Sequence, residues 1–147
     1  MSKIHNTGYE ILTAAFLAAF LAQSTKVITY IIIHRSLNFK IFTTTGGMPS
    51  SHSAFVIAMA TSTGLIDGFL STTFALATGI ALIVMYDAAG LRRAAGKMAA
   101  ALNKIVDHVY NVPTIEKLKE LLGHTPVEVF IGAILGILVG YFVHYNF

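Results

Sequence analysis

Four long apolar stretches, separated by short polar connections, constrain this chain more than any other feature. They run from Ile11 to Ile33, Ser50 to Leu70, Thr72 to Leu91 and Val127 to Tyr145. Each approaches the roughly 20 residues that an α-helix needs to cross a bilayer. Only 12% of the residues are charged and 55% are hydrophobic, which leaves too few polar side chains to solvate a water-soluble surface. The expected fold is therefore all-α: one integral membrane domain over residues 1–147, with about four transmembrane helices. The second stretch is the weakest, because Thr61, Ser62, Thr63 and Gly64 interrupt it; a tilted or partly buried span fits that composition. Lys3 followed by Leu12 to Ala22 has the outline of a secretory signal. The apolar run resumes through Val27 to Ile33, so a whole transmembrane helix is the better reading. Cysteine is absent, and no disulfide framework exists.

Charge orients the spans. With alternating helices, Arg35, Lys40, Arg92, Arg93, Lys97, Lys104, Lys117 and Lys119 fall on one side and only Lys3 on the other. That asymmetry predicts a cytoplasmic-membrane protein with its basic loops in the cytoplasm. The net charge of +3 suits anionic lipid headgroups, and no groove-reading motif points to nucleic acid. Leu91, Ala95, Met98, Leu102, Ile105, Val106 and Val109 recur at helical spacing, predicting an amphipathic helix lying flat at the interface and ended by Pro113. A second short helix is expected over 114–122, stopped by Gly123.

Two helix starts on the basic side carry the candidate chemistry. In Gly46-Gly47-Met48-Pro49-Ser50-Ser51-His52-Ser53 the glycines permit a tight turn, a serine can cap the helix, and free N–H groups attract an anion. His52 adds a group that exchanges a proton near neutral pH. A capped helix with an incidental histidine accounts for the string equally well. In Gly123-His124-Thr125-Pro126-Val127-Glu128, Thr125, Pro126 and Glu128 match the N-cap, first and third positions of a capping box. That explains Glu128 fully and leaves His124 over. Gly132, Gly136 and Gly140, four apart, form a stripe for close helix packing, within the bundle or in a homo-oligomer. Arg92 and Arg93 close the third span and would also anchor headgroups. Lys26 lies inside the first span, where a charge either snorkels or marks a site.

These residues carry a resemblance. Pro49-Ser50-Ser51-His52 resembles the Pro-Ser-Gly-His signature of the type 2 phosphatidic acid phosphatase and vanadium haloperoxidase superfamily, and His124 with Glu128 and Gly132 is similar to its later His, three residues, Asp, Gly segment. Met85 to Gly90 with Arg92-Arg93 is most similar to the divergent branch of small membrane proteins. The resemblance implies a cofactor-free and metal-free mechanism. His124 would attack phosphorus and form a phosphohistidine, Glu128 would orient its imidazole, and His52 would protonate the leaving group. Ser50, Ser51 and the helix-start amides would hold the phosphoryl oxygens; side and charge add Lys26, and Arg92 or Arg93, as the cations beside them. Ser51 stands for the usual Gly, Glu128 for Asp, and Leu118 for an Arg six residues before the nucleophile. Two functions are therefore expected as alternatives: hydrolysis of a lipid phosphate or diphosphate, and non-catalytic binding or transport of such a lipid.

Overall fold

A computed structural model of the chain describes residues 6–35, 47–110, 117–120 and 122–146. Five helices follow one another: α1 (Gly8–His34), α2 (Ser51–Asp67), α3 (Thr72–Ala89), α4 (Leu91–Tyr110) and α5 (Pro126–Asn146). No strand occurs among the described residues. Three helical segments are long and apolar enough to cross a membrane: Gly8–Ile33, Pro126–Asn146, and a run from Thr72 to His108 in which α3 continues into α4 past Gly90.

Side-chain size sorts inversely to a water-soluble core. Phe20, Ile28 and Ile32 on α1, Leu76, Ile80 and Ile83 on α3, and Phe130, Leu138 and Phe142 on α5 all point outward. Inside, the α1–α2–α5 contact is built from Ala14, Ala18, Ala22, Ala54, Ala58, Val139 and Val143. Lipid is as apolar as leucine, so burying a large side chain gains little there. Small residues let helices approach and gain dispersion contacts instead.

α2 is the central helix and packs against α1, α3 and α5. Its 17 residues rise about 26 Å, short of a hydrocarbon core of about 30 Å. Protein surrounds it, so Thr61, Ser62 and Thr63 are buried without facing lipid. Thr63 also donates its hydroxyl to the Met59 carbonyl at 2.8 Å. The glycine stripe of α5 is spent on this helix. A β-carbon at Gly132 would strike the Ser50 carbonyl, one at Gly136 would lie 2.9 Å from the Ala58 nitrogen, and one at Gly140 would lie 2.9 Å from Thr61 Cβ.

α4 is the amphipathic helix that the spacing predicts. Leu91, Met98, Leu102 and Ile105 lie exposed, while Gly96, Ala99 and Asn103 are buried against the chain that returns toward α5. The expected second short helix is corrected here: residues 117–120 and 122 are not helical. Asn103 satisfies the Leu118 backbone in place of a helical turn. Pro113 and residues 114–116 lie outside the described residues, as does Lys40. At the end of the bundle away from α4, the fully buried Glu10 accepts a hydrogen bond at 2.8 Å from His144 Nδ1 and ties α1 to α5.

Candidate active site

The capping box at the start of α5 forms as its sequence predicts. Glu128 N–H donates to Thr125 Oγ1 at 3.3 Å, and Thr125 N–H donates back to Glu128 Oε2 at 3.2 Å. The same carboxylate oxygen lies 2.9 Å from His124 Nδ1. One side chain therefore caps the helix and orients the imidazole. A carboxylate only accepts, so Nδ1 carries the proton and Nε2 keeps its lone pair. His124 is held from behind as well, because its N–H donates to the Ala88 carbonyl at the end of α3 at 2.8 Å.

His124 Nε2 is buried and has no hydrogen-bond partner among the described residues; the Gly47 backbone approaches the ring without completing a bond to that nitrogen. Burial, the largest influence, holds the His124 pKa below its ordinary value. The Glu128 hydrogen bond works against that, and the Lys26 charge adds to it. At neutral pH the ring is accordingly uncharged, the state a nitrogen nucleophile requires.

His52 faces this group from the first turn of α2. The two ring centroids are 6.1 Å apart at an interplanar angle of 64°, about twice one hydrogen-bond length. His52 Nδ1 is also buried without a partner among the described residues. The pair is locked by one backbone bond, Ser50 N–H to the Glu128 carbonyl at 3.0 Å, which fixes the start of α2 to the first turn of α5. Gly132, one turn further on, makes that approach sterically possible.

The remaining expected residues divide. Ser50 is wholly buried and caps α2: its Oγ accepts from Ser53 N–H at 3.4 Å and from Ser53 Oγ at 3.1 Å. Ser51 is half-buried in the first turn. Arg92 is paired with Asp87, Nε to Oδ2 at 2.7 Å, and both charges act on His52. Arg93 instead lines a cleft of about 390 Å³ together with Gly47, Lys97, Glu120, His124 and Glu128, a volume that suits a headgroup-sized ligand. Lys26 is only 6% exposed, so its ammonium does not snorkel to water. Nζ donates to Gln23 Oε1 at 3.3 Å, its stem would touch a β-carbon at Gly47 at 3.9 Å, and its charge reaches both histidines.

Sequence reasoning did not find Glu120 or Asn103, and it read Gly123 as a helix stop. Gly123 adopts φ +81° and lies so close to the Arg92–Arg93 backbone that a β-carbon there would overlap Arg93 N. The signal was present as a second glycine, Gly96, whose position would admit no β-carbon beside the Glu120 carbonyl. Two glycines on facing segments mark a close backbone approach.

A family model described as the Divergent PAP2 family matches residues 7–139. The uncharacterized membrane protein YuiD of Bacillus subtilis (strain 168) is 41% identical over 149 residues, covering 92% of this chain and 94% of that protein. No solved structure matches the chain.

Proposed function

The chain belongs to the divergent PAP2 family, and on that premise we propose that it is a membrane phosphatase acting on a lipid phosphate or diphosphate through a phosphohistidine at His124. The observation that carries this reading is the His124–Glu128 pair, with Nδ1 tied to the carboxylate, Nε2 unpartnered, and a second imidazole 6.1 Å away. In the proposed first step the Nε2 lone pair forms an N–P bond as the P–O bond to the leaving group breaks, and His52 delivers a proton to the departing oxygen. In the second step water attacks phosphorus, His52 takes its proton, and His124 is released with inorganic phosphate. In this reading Arg93 and Lys97 from the cleft, with the charge of Lys26 behind the histidines, balance the phosphoryl oxygens. The test is phosphate release from a panel of lipid phosphates by detergent-purified protein, with His124→Ala as control.

One observation favours the second reading, a non-catalytic lipid-phosphate binder or transport-related protein. Ser50 and Arg92, two of the groups expected at the phosphate, are already engaged by Ser53 and Asp87. A protein that binds lipid phosphates but shows no turnover in the panel would put that reading ahead.

Lys26 separates site from scaffold under either reading. Lys26→Met keeps the apolar stem and removes the charge, and vanadate affinity by calorimetry is expected to fall about tenfold or more, as for loss of a charged hydrogen bond. Unchanged affinity in folded protein would make Lys26 structural.

We assign the cleft to the cytoplasmic face from the basic-residue asymmetry. In intact cells, an impermeant thiol reagent is expected to label a cysteine placed at Ser2 and to spare one placed at Lys104. The reverse pattern would invert the orientation.

A further inference from the structure

Asn103 lies on α4 away from both histidines, yet it is 7% exposed and its side chain makes three hydrogen bonds across a sequence separation of 15 to 17 residues. Its Oδ1 accepts from Leu118 N–H at 2.9 Å, and its Nδ2 donates to the Leu118 carbonyl and to Glu120 Oε1, each at 2.8 Å. From there the chain runs back along α4. Glu120 and Leu122 lie against Gly96, Gly123 lies against Arg92 and Arg93, and His124 N–H reaches Ala88. Glu120 and His124 line the same cleft, so release at Asn103 loosens the wall beside the His124 ring.

We infer that Asn103 is a positioning residue: it holds Leu118 and Glu120 against α4 and so sets the Glu120 wall of the cleft beside His124. The inference rests on the phosphatase reading for its kinetic consequence and on geometry alone for its structural one. Asn103→Asp removes both amide donors and sets a carboxylate against Glu120. Adding Glu120→Gln restores one bond with donor and acceptor exchanged.

Diethyl pyrocarbonate acylation of His124, followed by peptide mass spectrometry, reads the position of the buried ring without requiring activity. Asn103→Asp is expected to speed labelling of His124 by about tenfold or more, the scale of a buried hydrogen bond to a charged partner. With Glu120→Gln also present, the increase should shrink to within about threefold of the Glu120→Gln protein alone. kcat/KM should fall and recover in parallel. Labelling at the original rate, or an equal increase in both backgrounds, would overturn the inference. If Asn103→Asp does not fold, Asn103→Gln keeps both amide atoms but displaces them by one methylene; unchanged His124 labelling there would overturn it as well. Labelling that follows this pattern in a protein without turnover would leave the positioning role standing and remove the phosphatase reading.

Discussion

Replacing His124 with alanine is expected to abolish turnover and with it any acid-labile phosphoenzyme, whereas replacing His52 is expected to slow only the steps that need a proton. General acid catalysis contributes about 10²–10⁴-fold, so His52→Ala should lose that much on an alkyl phosphate, whose leaving alkoxide is strongly basic. An aryl phosphate leaves without protonation. It should restore His52→Ala to within about an order of magnitude of the unaltered protein and leave His124→Ala inactive. The contrast follows from geometry: Glu128 holds His124 in the tautomer that exposes a lone pair, while His52 comes from a different helix and has no carboxylate on its buried Nδ1 among the described residues. Steady-state kinetics on the two substrate types checks it. Equal rescue of both variants would remove the division of roles.

Gly132→Val is expected to be strongly damaging. Its β-carbon would overlap the Ser50 carbonyl and press on Ser53 Cβ at 3.1 Å, and the neighbouring backbone has nowhere to retreat in a closely packed α2–α5 contact. Overpacking of this kind costs about 1–3 kcal/mol. The shift must also strain the bond from Ser50 to the Glu128 carbonyl that holds the histidines together. Misplacement by about 1 Å reduces a positioned reaction about a hundredfold. Gly79→Ala on α3 is the matched control, since a β-carbon there meets nothing within 4 Å and alanine favours helix by up to about 1 kcal/mol. Thermal denaturation in detergent should show a lower midpoint for Gly132→Val and an equal or higher one for Gly79→Ala. Equal midpoints would mean that α2 and α5 do not meet in this way.

The parts of the fold readable from sequence are those written in local patterns. Length and apolarity mark the spans, the Thr125–Glu128 spacing marks a capping box that forms atom for atom, and the four-residue glycine spacing marks a face that α2 fills. His124 and Glu128 are four residues apart on one helix start, so their hydrogen bond was within reach of the same reasoning. Pairings across long separations were not. Nothing in the string Arg92-Arg93 tells which guanidinium turns to Asp87 and which to the cleft; that depends on the bend at Gly90 and on where α4 lies. Asn103 with Leu118, and Glu10 with His144 across 134 residues, depend likewise on tertiary placement. The 114–122 helix is expected from the segment's place between Pro113 and the stop signal Gly123, a weak local preference. Side-chain hydrogen bonds from Asn103 outcompete that weak preference at Leu118 and Glu120.

Trapping the covalent intermediate tests the central claim most directly. Purified protein is mixed with a lipid phosphate labelled with ³²P, quenched in alkali, which preserves phosphohistidine, and digested for peptide analysis; a parallel acid quench should discharge the label. The account predicts alkali-stable, acid-labile label on the peptide containing His124, and its loss in His124→Ala. Turnover without label on that peptide, or label that persists in His124→Ala, would contradict it.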